Sequence, residues 1–328
     1  MTKDYTLKSL DTKKALNFDL QTFAASFNPA NVMLQDAVNG KVPTEQGTLV
    51  LKDFMTQSAI TQLAKYEPMI KAEKEFTYLA SGPGAYWVGE GEKIQTSKAT
   101  WLSAKMVSKK LGVIIPVSKE FLRYSVSDFF TQMRPAIAEA FAVKFDQAAL
   151  FGVNSPFGAG TSVFEKATAA GNVLAHDDSK NLYDEFNSIM ALVEDGDKDV
   201  DGFTTTRRFR QKLRGTKDNQ GLPIFNDATG GATQQALGLP IGYVDSKSWD
   251  YTKALLLAAD WDYTRYGIPQ GMEYKISEDA TLTTVLGEDG EPINLFERDM
   301  FALRVTQQVG FMTLTDDAFA ALTPDVTP

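Results

Sequence analysis

Hydrophobic and polar positions divide the 328-residue chain into stretches of different period. Up to about residue 72 the apolar residues are scattered, with polar punctuation at Asn28-Pro29, Asn39-Gly40 and Pro43. Only 48–65 shows helical spacing, through Leu51, Phe54, Met55, Ala59 and Leu63. An arm patterned in this way buries no core alone and must lie on another surface. From Glu73 to Ser118 the period becomes two. Phe76 and Tyr78 alternate on the way out. Leu102, Ala104 and Met106, then Leu111, Val113, Ile115 and Val117, alternate on the way back, with a change of face near Lys109. The polar, glycine-rich stretch 89–98 (GEGEKIQTSK) between them predicts a long hairpin with a charged tip. Two-stranded hairpins are marginal in water, so a long one predicts partner contacts.

Ser125 to Phe151 carries the most sustained helical pattern. Phe129, Met133, Ile137, Phe141, Phe145 and Ala149 recur four apart, behind a capping-box-like start at Ser125 and Asp128. Pro135 inside this pattern predicts a kink or a restart. Residues 180–299 then alternate between helix and strand. Asn181 to Val193 predicts an amphipathic helix that buries Leu182, Phe186, Ile189, Met190 and Val193. Thr204 to Arg214 predicts a basic helix, and Leu239 to Val244 and Leu255 to Ala258 predict short strands. Met300 to Leu314 returns to alternation through Phe301, Leu303 and Val305, and Asp316 to Leu322 predicts a closing helix. The class is α+β, with an α/β domain enclosed between strand-rich segments.

Composition narrows the chemistry. The chain has no cysteine, which excludes disulfides, thiolate nucleophiles and Cys-ligated metals. A single histidine, His176, excludes a His-rich metal site within one chain. No P-loop occurs, and no nucleophile elbow lies near His176-Asp177-Asp178, which reads as a polar turn. No apolar run approaches the roughly 18 residues of a membrane span, and the N-terminus lacks an apolar signal core. Net charge is −9, and Lys180 to Met300 holds 21 acidic against 13 basic residues. That balance speaks against a general nucleic-acid binder, which needs clustered Lys and Arg.

Two local motifs remain. In the loop DGDKDVDG, Asp197, Asp199, Asp201 and Gly202 match the first half of a calcium loop, but Arg208 stands where the bidentate Glu belongs. A solvated loop is the simpler reading. The basic run Arg207, Arg208, Arg210, Lys212, Arg214 is a candidate phosphate patch or, more simply, the charged face of a surface helix that pairs with acidic neighbours. A carboxylate-based hydrolase would need two carboxylates facing a cleft, one with its pKa raised by burial, and no spacing shows such a pair.

The order of parts is more specific than any motif. An arm, a long hairpin, a strand running into a long helix, an α/β domain and a returning strand resemble the tailed-phage major capsid family with the Hong Kong 97-type fold, over about residues 30–322. Local strings carry the resemblance: KKLGVIIPVSKEFL from Lys109, PGAYWVGEGEKIQTSKATWLSAK from Pro83, LGLPIGYV from Leu237, LLLAADWDYTRYGI from Leu255, and DMFALRVTQQVGFMTLTDDAFAAL from Asp299. Within the family the chain is most similar to staphylococcal-type siphophage capsid proteins. The resemblance implies an arm (1–72), an E-loop hairpin (73–118), a P-domain with a spine helix (119–179 and 300–328) and an A-domain (180–299). It also implies a non-enzymatic shell protein without cofactors that forms hexamers and pentamers around packaged DNA. Its implied partners are a separate scaffolding protein, a portal protein and a maturation protease, the last acting near Ala24-Ala25-Ser26. Assembly in the bacterial host cytoplasm is expected. Glu90, Glu92, Lys93 and Lys98 at the hairpin tip, with Arg207, Arg208 and Arg210, are the candidate inter-subunit contacts. An encapsulin-like compartment shell shares the fold and is the alternative.

Overall fold

The computed structural model describes residues 54–325 apart from 56, 218–219, 223, 226–234 and 287–290, and leaves undescribed the side chains of 78, 80–81, 120–132, 270 and 286. Most of the predicted arm, with Ala24-Ala25-Ser26, lies outside the described residues. Of the helical stretch predicted over 48–65, helix α1 (Ala59–Leu63) is described, capped by the Ser58 side chain. It leads into the two-residue strand β1 (Lys65–Tyr66). Strands β2 (Glu73–Ser81) and β3 (Thr100–Ser118) then pair antiparallel from Glu73↔Val107 to Ser81↔Thr100, forming the hairpin that the alternation predicts. The change of face forms only in part. Ala104 and Met106 are sheltered before the exposed Lys109-Lys110 pair, and Leu111, Val113, Ile115 and Val117 after it, but Leu102 is exposed, and Val107, Pro116 and Ser118 are half-buried on the opposite face.

Helix α2 (Lys119–Phe151) starts six residues before the predicted cap, so Ser125 lies inside it, and it runs through Pro135 without a restart. The start is fixed by its surroundings. The Lys119 N–H donates to the Asp299 carbonyl, and Lys119 Nζ lies 2.8 Å from Glu278 and 3.4 Å from Asp299. Beyond Pro135 the helix is held by packing, with Ile137, Ala138, Phe141, Ala142 and Phe145 buried. The Phe145 ring lies 6.0 to 6.3 Å from those of Phe54, Phe157 and Phe311.

Next come α3 (Val163–Ala170), closed at its N-terminus by a Ser162–Glu165 capping box, and β4 (Val173–Ala175). Helix α4 (Leu182–Glu194), capped by Asn181, buries Leu182, Phe186, Ile189 and Val193 as predicted. The basic helix predicted over 204–214 is corrected. Gly202–Thr206 form strand β5, buried throughout, and the helix α5 is only Arg210–Gly215. Three successive β-branched threonines favour the pleated strand, and their burial in the sheet outweighs the helical spacing that follows. Strands β6 (Gln235–Ala236), β7 (Leu239–Val244), β8 (Leu256–Ala259), β9 (Thr264–Ser277), β10 (Thr281–Leu286), β11 (Pro292–Asn294), β12 (Met300–Thr313) and β13 (Phe319–Thr323) complete the described chain.

The closing segment is therefore a strand and not the predicted helix. Strand β13 lies between β4 and β8 in a six-stranded sheet ordered β4-β13-β8-β5-β7-β6. Phe319, Ala320, Ala321 and Leu322 are all fully buried. A short apolar run that is buried on both faces shows no strand period, so alanine content alone misreads it. Helix α4 covers this sheet, with the Phe186 and Phe203 rings meeting edge-on at 4.8 Å.

A second sheet has the order β1-β9-β12-β3-β2. At Gly267 in β9 an added Cβ would lie 2.7 Å from the Glu67 carbonyl oxygen, so only glycine permits the approach that pairs β1 with β9. By internal packing, residues 114–131 and 274–304 group apart from 57–113, 132–273 and 305–325. The smaller group has its own apolar cluster of Leu282, Ile293, Leu295 and Ala302.

Candidate assembly interface

Beyond the last rung of the hairpin, residues 82–98 form no strand and are exposed throughout. Gly89–Glu92 make a turn in which the Glu92 N–H donates to the Gly89 carbonyl (3.1 Å) and Gly91 adopts φ +82°, the glycine-requiring position of a type II turn. The Glu92 carboxylate in turn accepts from the Gly89 N–H at 3.2 Å. Lower down, Ser97 Oγ accepts from the Gly84 N–H and ties the two limbs together. Glu90, Glu92, Lys93 and Lys98 all face solvent here. With them are large apolar side chains: Trp87 is fully exposed, Ile94 is 74% exposed, and Leu79, Tyr86, Trp101 and Leu102 are at least 46% exposed. Clustered exposed apolar surface marks an interaction site. Beside the tip charges expected from the sequence, the aromatic residues present a large exposed area.

Arg207 and Arg208 follow β5 on an exposed turn, and the Arg208 guanidinium lies 5.2 Å from the Tyr251 ring centre. Arg210 opens α5 and stacks 4.0 Å from the Tyr243 ring. Two of the three candidate arginines, Arg208 and Arg210, are thus held by aromatic rings of the 245–254 loop and of β7, while Arg207 is exposed beside them.

The calcium half-motif is not brought together. Asp201 groups with Asp260 and Asp262, their carboxylate oxygens within 4.8 Å of one another. Asp197 sits in a turn at φ +53° and, like Asp199, is not part of that group. Asp260 caps the turn Trp261–Tyr263 by accepting from the Asp262 N–H at 3.2 Å. Burial, then the charge of Asp201, push its carboxyl up to about 6. Sequence reading missed this pair because β5 and β8 bring Asp201 and Asp260 together across 59 positions of chain.

His176, expected in a polar turn, is buried in the structure with partners at both ring nitrogens. Its Nδ1 lies 2.8 Å from the carboxylate of Glu185, which is itself buried, and its Nε2 lies 2.9 Å from Asp178 and 2.8 Å from Lys212 Nζ. The Asp177 N–H also donates to Glu185 at 2.8 Å. A signal for this was present. Glu185 falls on the apolar stripe of α4, one position from Phe186, and a carboxylate buried there needs donors.

Compared with known proteins, residues 40–323 match the phage capsid family. The chain is 42% identical over 322 residues to the major capsid protein of Staphylococcus phage 80alpha, covering 96% of each. It is 26% identical to the probable major capsid protein gp17 of Mycobacterium phage D29, over 87% of this chain and 90% of that protein. A solved chain from Microbacterium phage Oxtober96 superposes with a TM-score of 0.71 at 31% identity, over 82% of this chain and 91% of that one. The α+β fold is the Hong Kong 97-type fold. Matched from the hairpin through the long helix to the last strand, this chain belongs to the phage capsid family, whose members are structural capsid proteins and not enzymes.

Proposed function

We infer that this chain is the major capsid protein of a tailed bacteriophage, the subunit of an icosahedral shell that encloses the double-stranded DNA genome. The observation that carries this reading is the match to capsid proteins along nearly the whole chain. The exposed apolar hairpin supports it, because a shell subunit must bury surface against copies of itself. In this reading residues 73–118 are the E-loop, 119–179 with 300–328 the P-domain, and 180–299 the A-domain, preceded by an arm over 1–72. The E-loop lies over a neighbouring subunit within hexamers and pentamers, and Glu90, Glu92, Lys93, Lys98, Arg207, Arg208 and Arg210 are its polar contacts or those of the A-domain ring. A separate scaffolding protein, a portal protein and a maturation protease are the proposed partners, acting in the host cytoplasm before the particle matures. The DNA is enclosed without sequence-specific contacts, in keeping with a net charge of −9.

Expression with and without a scaffolding partner, followed by negative-stain electron microscopy, tests this. Closed or tubular particles are expected. A small monodisperse species under both conditions contradicts the reading.

A further inference from the structure

A cleft of about 720 Å³ opens between the foot of α1, the middle of α2, β7 and the turn after β5. Arg207 and Arg210 line it. So does Ser248, which is only 2% exposed yet has no hydrogen-bond partner for its hydroxyl. The Arg210 Nε is a second buried donor without a partner, and the ring of Tyr243 fixes that guanidinium in place. Glu139 and Asp245 also line the cleft, but both are engaged elsewhere. Glu139 pairs with Lys247 Nζ, and Asp245 accepts from the Lys247 N–H at 2.9 Å. No carboxylate among the described residues pairs with Arg207 or Arg210.

Buried donors are normally satisfied, because an orphan costs the desolvation of the group with nothing in return. Two orphans, the Ser248 hydroxyl and the Arg210 Nε, beside the exposed guanidinium of Arg207 therefore form a site for an acceptor that the isolated chain does not supply. The acceptor suited to a fixed guanidinium fork is a planar oxyanion, above all a carboxylate. We propose that this cleft receives an acidic side chain of a neighbouring copy of the chain in the assembled shell. The proposal rests on the shell reading and adds the ligand chemistry of one contact. Charge complementarity identifies the occupant. Each chain carries 42 acidic against 33 basic residues, so every neighbour has carboxylates in excess of its own cations with which to meet this basic cleft.

Ser248→Ala and Arg207→Gln test it, each measured as unassembled chain and as shell. The Ser248 hydroxyl has no partner in the chain alone, so Ser248→Ala leaves the unfolding midpoint of the unassembled chain unchanged or higher, and the exposed Arg207→Gln leaves it unchanged. Each variant raises the chain concentration needed for particles roughly tenfold, the value of one hydrogen bond to a charged group. A cryo-electron map of the wild-type shell then shows a neighbour's Asp or Glu within hydrogen-bonding distance of Arg210. Particles of both variants forming at the wild-type concentration overturn the proposal and leave the shell reading standing. A cleft holding only solvent, or an isolated phosphate with no neighbouring side chain, does the same. If the wild type forms no particles, both fall.

Discussion

Asp146 is the residue on which the root of the N-terminal arm turns. It sits 2% exposed on α2, where its carboxylate accepts from Ser58 Oγ at 2.6 Å, from the Ala59 N–H at 3.0 Å and from the Ile60 N–H at 3.4 Å. It therefore satisfies orphan donors at the start of α1, 86 to 88 positions away in the chain. No cation offsets its burial among the causes that shift it, and desolvation pushes its carboxyl up to about 6 from 3.8. The sign follows from a folded pKa above the unfolded one. The contribution to stability is fully present below about 3.8 and is lost as pH rises through about 6. Asp146→Ala leaves three donors unpaired and is expected to lower stability by about 1–3 kcal/mol. Its deficit relative to wild type in urea unfolding widens from pH 7.5 to pH 5, and a deficit independent of pH contradicts the assignment. Gly267 makes a steric demand of a different kind. Gly267→Ala forces a Cβ against the Glu67 carbonyl and the Met69 side chain, at 2.7 Å from each. A loss of about 1–3 kcal/mol is expected, read from the same unfolding curves.

At the scale of elements, the assembly role proposed for the hairpin predicts that folding and assembly respond separately to its substitution. Trp87 touches nothing that shelters it, so Trp87→Ala is expected to move the unfolding midpoint of the unassembled chain by no more than about 0.5 kcal/mol. Particle yield in the same preparation falls sharply, because the largest apolar side chain of the tip loses its partner surface. A midpoint that falls with the yield instead places Trp87 in the chain's own core. Elements with an exposed face were legible in sequence: the two hairpin strands and α4 each show polar positions that set the period against the apolar ones, whereas β12 is buried on both faces although Phe301, Leu303 and Val305 alternate. Other elements buried on both faces were not legible. Strand β13 reads as helix because Phe319 to Leu322 has no polar position to mark alternation, and β5 reads as helix because Thr204, Thr205 and Thr206 are polar yet wholly buried. The start of α2 was misplaced for a related reason. Ser125 has the chemistry of a cap, but Lys119 is fixed by Glu278 and Asp299, which lie far along the chain. The same holds for the polar sites. The tip charges are contiguous in the chain and so can be read as one group, whereas the Asp201–Asp260 pair and the Arg207–Arg210–Ser248 cleft exist only once strands β5, β7 and β8 lie side by side.

At the scale of the molecule, like charge and apolar surface act against each other in assembly. Copies that each carry −9 repel over distances set by salt: the screening length is roughly 30 Å at 0.01 M and about 8 Å at 0.15 M. The apolar contact proposed for Trp87, Ile94 and their neighbours is not weakened by simple salt, and ion pairs closed off from solvent are screened far less than exposed ones. Long-range repulsion is therefore the part of the balance that salt removes. The exposed pair Lys105–Glu73, 2.7 Å apart and open to water, is of the kind that contributes at most about 1 kcal/mol. Raising sodium chloride from about 0.01 M to about 0.3 M is then expected to lower the chain concentration at which particles form, as followed by light scattering. Trp87→Ala keeps that salt dependence but shifts it to higher concentration, because it removes apolar contact and leaves the charge untouched. The opposite trend, with particles lost as salt rises, means that exposed ion pairs hold the copies together. In that case the tip residues Glu90, Glu92, Lys93 and Lys98, and not the aromatic surface beside them, carry the assembly energy.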